Sequence, residues 1–164
     1  MSDLVQYRIG SGHDSHRLEV GRPLVLGGVR IDHPRGPVSH SDGDVVLHAI
    51  TDALLGAIGA GDIGDGFPDT DPQWKDADSV LFVHAALARV NQAGFRVVNI
   101  DVTIFAQEPK LGPVKAAMRS RIAKLLGVPE DRVNVKAKTG EKVGHIGRSE
   151  AIASHAVVLI GSKD

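Results

Sequence analysis

Apolar spacing divides the chain into a short series of elements. Tyr7 to Gly12 reads as a first strand that extends to about Leu18. Leu24 to Ile31 is an apolar hairpin with Gly27-Gly28 at its turn. Pro34 to Val38 reads as loop. A helix is expected from Ser39, with Asp42 three residues on as a capping-box signature. Val45, Ala49 and Ala53, and beside them Val46, Ile50, Leu54 and Ala57, recur at helical spacing, and the helix should end near Gly59 and Gly61. Gly61 to Gln73 is rich in Gly, Asp and Pro and is expected to be loop. Ser79 or Asp78 should cap a second helix that runs to Gly94. Arg96 to Gln107 is a strand in which Ile100, Val102 and Ile104 alternate with Asp101, Thr103 and Phe105. Pro113 and Gly127 frame a third helix. Val133, Val135 and Ala137 alternate with Asn134, Lys136 and Lys138 as another strand, and the apolar run Ala151 to Ile160 is a well-covered last one. This order predicts an α+β sandwich, a sheet with helices on one face.

Composition narrows the chemistry. A chain of 164 residues is most simply one domain, 1–164, large enough for a real core. Cys is absent. Disulfides, thiol nucleophiles, iron–sulfur clusters and cysteine zinc sites are therefore excluded, and any transition metal must be held by His and carboxylate. No apolar run reaches the ~18 residues of a membrane span. No export signal is read in Met1 to Gly10, so a cytoplasmic location is expected. The net charge of −1 argues against a general nucleic-acid binder. It conceals an asymmetry: residues 1–82 carry 13 acids and 6 bases, residues 83–164 carry 7 and 13. Nine Asp and a single Lys lie between His40 and Asp78, set among Gly, His and Pro rather than along a helix face.

Four stretches carry candidate chemistry. In Gly12-His13-Asp14-Ser15-His16, strand alternation puts Asp14 and His16 on one face and His13 and Ser15 on the other. The pair is either an ordinary Asp–His hydrogen bond or two metal ligands. Gly10-x-Gly12 is no dinucleotide fingerprint, because its third Gly would fall at Ser15. On the first helix Asp44, His48 and Asp52 are four apart, the spacing of a His with carboxylate partners one turn away. Asp14, His16 and His48 would give zinc three ligands and leave a fourth position open. The acidic loop from Gly61 to Asp71 lacks the carboxylates of an EF-hand and suits a polyol. Lys136-Ala137-Lys138-Thr139-Gly140-Glu141-Lys142, with Gly147-Arg148 beyond, joins cations and a hydroxyl to a lone carboxylate. That mixture suits phosphate with Mg²⁺, although it is not a P-loop.

In this order and spacing the motifs resemble one family, the 2-C-methyl-D-erythritol 2,4-cyclodiphosphate synthases of the non-mevalonate isoprenoid pathway. The carriers are Gly12 to His16, His40-Ser41-Asp42-Gly43-Asp44 with His48, Gly61-Asp62-Ile63-Gly64 with Phe67-Pro68-Asp69-Thr70-Asp71, Pro109-Lys110, and Lys136 to Arg148. They span essentially the whole chain.

The resemblance implies a mixed sheet in a ferredoxin-like-related sandwich, assembled as a homotrimer with active sites between neighbours. It implies a lyase whose substrate is 4-diphosphocytidyl-2-C-methyl-D-erythritol 2-phosphate. The 2-phosphate attacks the β-phosphorus, closes the cyclic diphosphate and releases CMP. It places Zn²⁺ on Asp14, His16 and His48, and Mg²⁺ (or Mn²⁺) on Glu141. His40 and Thr139 match positions that stabilise the transition state. Ser41, Asp62, Gly64, Phe67 and Asp69 match the methylerythritol-phosphate side, and Ala106, Lys110, Leu111, Ala137 and Lys138 the cytidine pocket. His13 and His145 stand where the family commonly has Phe, around a cavity on the three-fold axis in which the motif Arg, here Arg148, meets a phosphate. The family's cavity is largely apolar, and these two departures from it lead one to expect an axial pocket here that prefers a small anion. The competing enzyme reading is a zinc phosphohydrolase of a nucleotide-linked substrate using the same three ligands. The competing non-enzyme reading is a metal-storage or nucleotide-binding module.

Overall fold

The computed structural model describes residues 5–163. The two ends of the expected 1–164 domain lie outside the described residues. Strand β1, Tyr7–Val20, is followed by the hairpin β2, Leu24–Leu26, and β3, Val29–Ile31, and by a short strand β4, Arg35–Pro37. Helix α1 is Val45–Ala57 and α2 is Ile63–Gly66. A 3-10 turn at Pro72–Trp74 leads to α3, Val80–Gln92, and β5, Phe95–Phe105. A second 3-10 turn at Gly112–Val114 leads to α4, Lys115–Leu126. β6, Val133–Lys138, α5, Gly144–Gly147, and β7, Ala151–Ser162, complete the chain.

Five strands form a mixed sheet in the order β4-β1-β7-β5-β6. β1 runs antiparallel to β7 from Tyr7↔Gly161 to Arg17↔Ala151, and β7 antiparallel to β5. β5 and β6 are parallel, from Ile100↔Val133 to Phe105↔Lys138. The alternation read in β5 and β6 is the real one. Ile100, Val102, Ile104, Val133 and Val135 are buried, while Asp101 and Lys136 meet on the opposite face at 2.6 Å.

Helix α1 lies on β1 and β7 and is buried along nearly its whole length, from Val45 to Ala57. Gly10 and Gly12 on β1 make this possible. A Cβ at Gly12 would overlap the Ala49 carbonyl oxygen and stand 2.7 Å from the Ala53 nitrogen, and one at Gly10 would collide with the Ala53 carbonyl. Small residues on both elements let backbone approach backbone. α3 packs on α1, and α4 covers β6 and the Gly27 turn through Met118 and Ile122.

Several local expectations are corrected. Pro34 to Val38 is not all loop. Arg35–Pro37 pairs with Leu18 to Val20 at the sheet edge, where Pro37 costs no ladder bond. Gly36 fits because a side chain there would strike the Pro23 and Arg22 carbonyls. The first helix starts at Val45 rather than Ser39. Gly43 has φ of 74° and breaks the run, and the Asp44 carboxylate caps the helix at the Val46 and Leu47 N–H groups. The Gly61–Gln73 segment contains α2, closed by a reciprocal capping box between Asp62 and Asp65, too short to show a period. Ser79 occupies the N-cap position of α3 without a capping bond, and it is Asp78 whose carboxylate accepts the Val80 N–H at 2.9 Å.

The Gly12 contact generates a prediction. Gly12→Ala should destabilise the fold by the upper end of the roughly 1–3 kcal/mol typical of overpacking. Urea denaturation measures it, and an unchanged midpoint would show that helix and strand can part without cost.

Candidate metal centre

Two and four residues beyond Gly12, on the same face of β1, come Asp14 and His16, and one residue before Ala49 comes His48. The close approach of helix and strand therefore sets the three side chains together. Asp14 Oδ2 is 2.9 Å from His16 Nε2 and 2.8 Å from His48 Nδ1, and the two ring nitrogens are 3.3 Å apart. Among the described residues this is the one group of three His or acidic side chains whose ligand atoms all converge within 4.8 Å. His48 is 8% exposed. Burial alone would raise the Asp14 carboxyl, but hydrogen bonds and charge from His16 and His48 hold it well below the usual carboxylate range. The atoms that now share imidazole protons converge on one point, where a cation can take the place of those protons. The donor set is hard oxygen plus two imidazoles, suited to a divalent transition metal.

The cluster opens into a cavity of about 500 Å³. His40, Ser41, Gly64, Phe67 and Asp69 line it, as the motifs led one to expect. Asp62 is not on its wall. Its carboxylate is engaged as the cap of α2, accepting from the Asp65 N–H at 3.2 Å. His40 Nε2 lies 3.1 Å from the Asp71 carbonyl, which can only accept, so this nitrogen carries a proton. One wall was not anticipated: Trp74 and Phe82 stack with Phe67 at centroid distances of 5.1 and 4.7 Å. The signal available in the sequence was compositional, since the single Trp and two of the four Phe fall within residues 67–82.

The other expected residues gather elsewhere. Ala106, Lys110, Leu111, Ala137, Lys138 and Thr139 line a second cavity of about 350 Å³ at the ends of β5 and β6. Glu141 follows in a tight turn, its N–H on Thr139 Oγ1 at 3.2 Å and its φ at 51°. Within one chain these residues thus line two separate cavities. His145 sits in α5, past the Arg17–Ala151 end of the ladder, whereas His13 faces its register partner His155 on the helix-free side of the sheet. The Arg148 guanidinium is engaged by Glu150 at 2.8 and 3.1 Å, so an anion there would compete with a carboxylate.

The carboxylates one turn from His48 do other work than expected. Asp44 is fully buried and accepts from the Gly27 and Gly28 N–H groups at 2.9 and 2.7 Å as well as from Val46 and Leu47. Burial pushes its carboxyl up to about 6, against the pull of the Gly28, Leu47 and Gly27 donors. Asp52 accepts the Ile63 N–H at 2.8 Å and so anchors α2, and burial raises its pKa too. The ring of His48 is instead met at Nε2 by Ser79 Oγ at 2.8 Å and Ser41 Oγ at 3.1 Å.

Fold and cluster together define a class: an α+β protein with a mixed five-stranded sheet whose cleft holds an Asp and two His that could bind a metal ion. The YgbB family model matches residues 7–161, and the chain belongs to that family. Among its relatives is a protein of Bordetella avium named 2-C-methyl-D-erythritol 2,4-cyclodiphosphate synthase, 54% identical over 95% of this chain and 96% of its own length. A protein of the same name from Burkholderia thailandensis is 56% identical over the same shares. A solved structure of 2C-methyl-D-erythritol-2,4-cyclodiphosphate synthase in a CDP-bound form superimposes with a TM-score of 0.87. It is 43% identical, over 93% of this chain and 99% of that one. The family read from the motifs is therefore the right one. No helix among the described residues is long and apolar enough to cross a membrane.

Asp44 yields the second prediction. Asp44→Ala should cost more than the ~0.5–2 kcal/mol of an ordinary N-cap loss, because the two hairpin amides lose their acceptor as well. Urea denaturation decides it, and a loss inside that range would show that water replaces the carboxylate at the turn.

Proposed function

We propose that this chain converts 4-diphosphocytidyl-2-C-methyl-D-erythritol 2-phosphate into 2-C-methyl-D-erythritol 2,4-cyclodiphosphate and CMP, as a cyclising phosphorus–oxygen lyase of the non-mevalonate isoprenoid pathway. The observation that carries this reading is the convergence of Asp14, His16 and His48 at the mouth of a cavity lined by His40, Ser41, Gly64, Phe67 and Asp69, in a chain of this family.

Asp14, His16 and His48 hold Zn²⁺ in this reading, and Glu141 contacts Mg²⁺ (or Mn²⁺). The three ligand atoms already lie within 2.8–3.3 Å of one another and would hold the ion between them. When bound, the two ions neutralise charge on the phosphates and polarise the phosphorus under attack. The chain's own task is alignment. An oxygen of the 2-phosphate forms a bond to the β-phosphorus, and the bond from that phosphorus to the bridging oxygen breaks. CMP leaves with the electron pair. Nucleophile and electrophile belong to one molecule, so holding it folded supplies most of the proximity, and no side-chain nucleophile is needed. Ser41, Asp62, Gly64, Phe67 and Asp69 bind the methylerythritol-phosphate portion, Asp62 through the turn it caps. Ala106, Lys110, Leu111, Ala137 and Lys138 bind the cytidine portion, and the CDP bound to a relative supports a cytidine-linked substrate. His40 and Thr139 stabilise the transition state from opposite ends of the substrate. His145 and Arg148 complete the binding surface, facing an anion on the trimer axis.

The two cavities are half-sites for one substrate if neighbouring copies supply one each. The helix-free sheet face also leaves Tyr7 and Ile9 61% and 70% exposed, a surface suited to a neighbour. A closed ring of heterologous contacts is the natural assembly, here a homotrimer of single-domain chains in the ferredoxin-like-related sandwich. The expected location remains the cytoplasm.

Phosphorus NMR of the reaction products tests the activity. A cyclic diphosphate with CMP is expected, with turnover lost on chelation and restored by metal, whereas linear phosphates would establish the phosphohydrolase instead. Glu141→Gln should weaken the binding of Mg²⁺ at the diphosphate, raising the Mg²⁺ concentration needed for activity, while zinc stays bound, and unchanged Mg²⁺ dependence would remove Glu141 from the site. Sedimentation should give a species near three times 17.3 kDa. A fully active monomer at assay concentration would refute the shared site.

A further inference from the structure

We propose that Ser79, clamped by Asp42, is the positioning residue for the metal ligand His48, fixing its imidazole with the proton on Nε2 and, once a metal is bound, the lone pair of Nδ1 turned toward the ion. The proposal rests on the metal reading above and assigns to the reaction two residues outside the metal and substrate sets.

The argument is one of counting protons. Ser79 is fully buried, and its Oγ lies 2.8 Å from His48 Nε2. A Ser hydroxyl has one proton to give. Ser79 spends it on Asp42 Oδ1, while its backbone N–H reaches Asp42 Oδ2 at 3.1 Å. A carboxylate only accepts, so both donors of Ser79 are committed to Asp42. What the hydroxyl has left for His48 is a lone pair, and His48 Nε2 must therefore be the donor. The second contact on that nitrogen, Ser41 Oγ at 3.1 Å, is longer and belongs to a part-exposed residue. Without an ion, Nδ1 donates to Asp14 Oδ2 at 2.8 Å. When a metal takes the place of that proton, the proton held on Nε2 leaves a neutral ring whose Nδ1 lone pair faces the ion, between Asp14 and the His16 Nε2 3.3 Å away.

Asp42 is itself held, so the clamp is rigid. Its N–H donates to the Ala77 carbonyl at 3.0 Å, and its Oδ1 also accepts the Asp44 N–H at 3.1 Å. Helix capping does not account for Ser79. It occupies the N-cap position of α3, yet its hydroxyl makes no capping bond, and Asp78 serves the first turn instead. The hydroxyl has been turned away from its own helix toward His48. Partners of this kind hold ligand rings in one tautomer and one orientation, and their loss typically costs about 10–100-fold in metal affinity.

The test is histidine-¹⁵N NMR of the zinc-loaded protein together with chelator-competition titrations. The wild type should show His48 protonated at Nε2 and coordinated through Nδ1. Ser79→Ala should raise the zinc dissociation constant about 10–100-fold and, in the metal-free protein, release the hold on the Nε2 proton, so that the tautomer of His48 protonated on Nδ1 alone appears. Asp42→Asn should also weaken zinc binding, because its amide can donate to Ser79 and turn the hydroxyl proton toward His48. A merely structural Ser79 would leave the tautomer unchanged. A zinc-loaded wild type with the proton on Nδ1 overturns the assignment without any variant, even if Ser79→Ala fails to fold. Equal zinc affinity in wild type and folded Ser79→Ala overturns it alone, whereas a wild type that takes up no zinc overturns the metal reading with it.

Discussion

The backbone-to-backbone approach of α1 and β1 is the constraint on which the rest depends. Gly10 and Gly12 leave no Cβ between the strand and the Ala49 and Ala53 carbonyls. A larger residue would force the helix away from the strand and part the side-chain atoms of Asp14, His16 and His48 that now lie 2.8 to 3.3 Å from one another. The same approach makes α1 the centre of the core, because a helix seated that deep must be apolar on nearly every side. Val45, Val46, Leu47, Ile50, Leu54 and Leu55 are buried for that reason, and the two buried polar side chains on the helix are Thr51, whose hydroxyl donates to the Leu47 carbonyl, and His48, which faces the cavity.

Around that helix the acidic residues divide the labour of construction. Asp44 ties the β2–β3 turn to the start of α1, Asp52 ties α2 to its end, and Asp42 ties the start of α3 to the loop before α1. Each is a carboxylate receiving backbone N–H groups that a loop would otherwise leave unpaired. The density of Asp between His40 and Asp78 is thus largely a set of fasteners for the cavity's irregular walls, and Asp69 is the acid left to line it.

The charge asymmetry follows the division into two cavities. The acidic half of the chain builds the metal cavity, and the basic half builds the pocket with Lys110 and Lys138. A substrate with a phosphorylated polyol at one end and a nucleoside joined through a diphosphate at the other suits hydroxyl-binding acids at the first end and fixed cations beside the second. β7 lies between β1 and β5 in the sheet, and this holds the halves apart within a single chain.

Local patterns alone located most of the elements. Alternation marked β5, β6 and β7, the Gly27-Gly28 turn marked the hairpin, and helical spacing marked α1, because each is a periodic signal carried by neighbouring residues. Strand alternation likewise put Asp14 and His16 on one face, away from His13. What escaped the sequence is what depends on partners far along the chain. The edge strand at Arg35–Pro37 exists only because β1 passes beside it, and α2 is one turn held by its own caps and by Asp52. Helical spacing promised Asp44 and Asp52 as companions of His48. Their carboxylates went to backbone donors, and the ring met Ser79, 31 residues away. A hydrogen bond forms between whatever the packed core brings within about 3 Å, and no local period in the sequence records that distance.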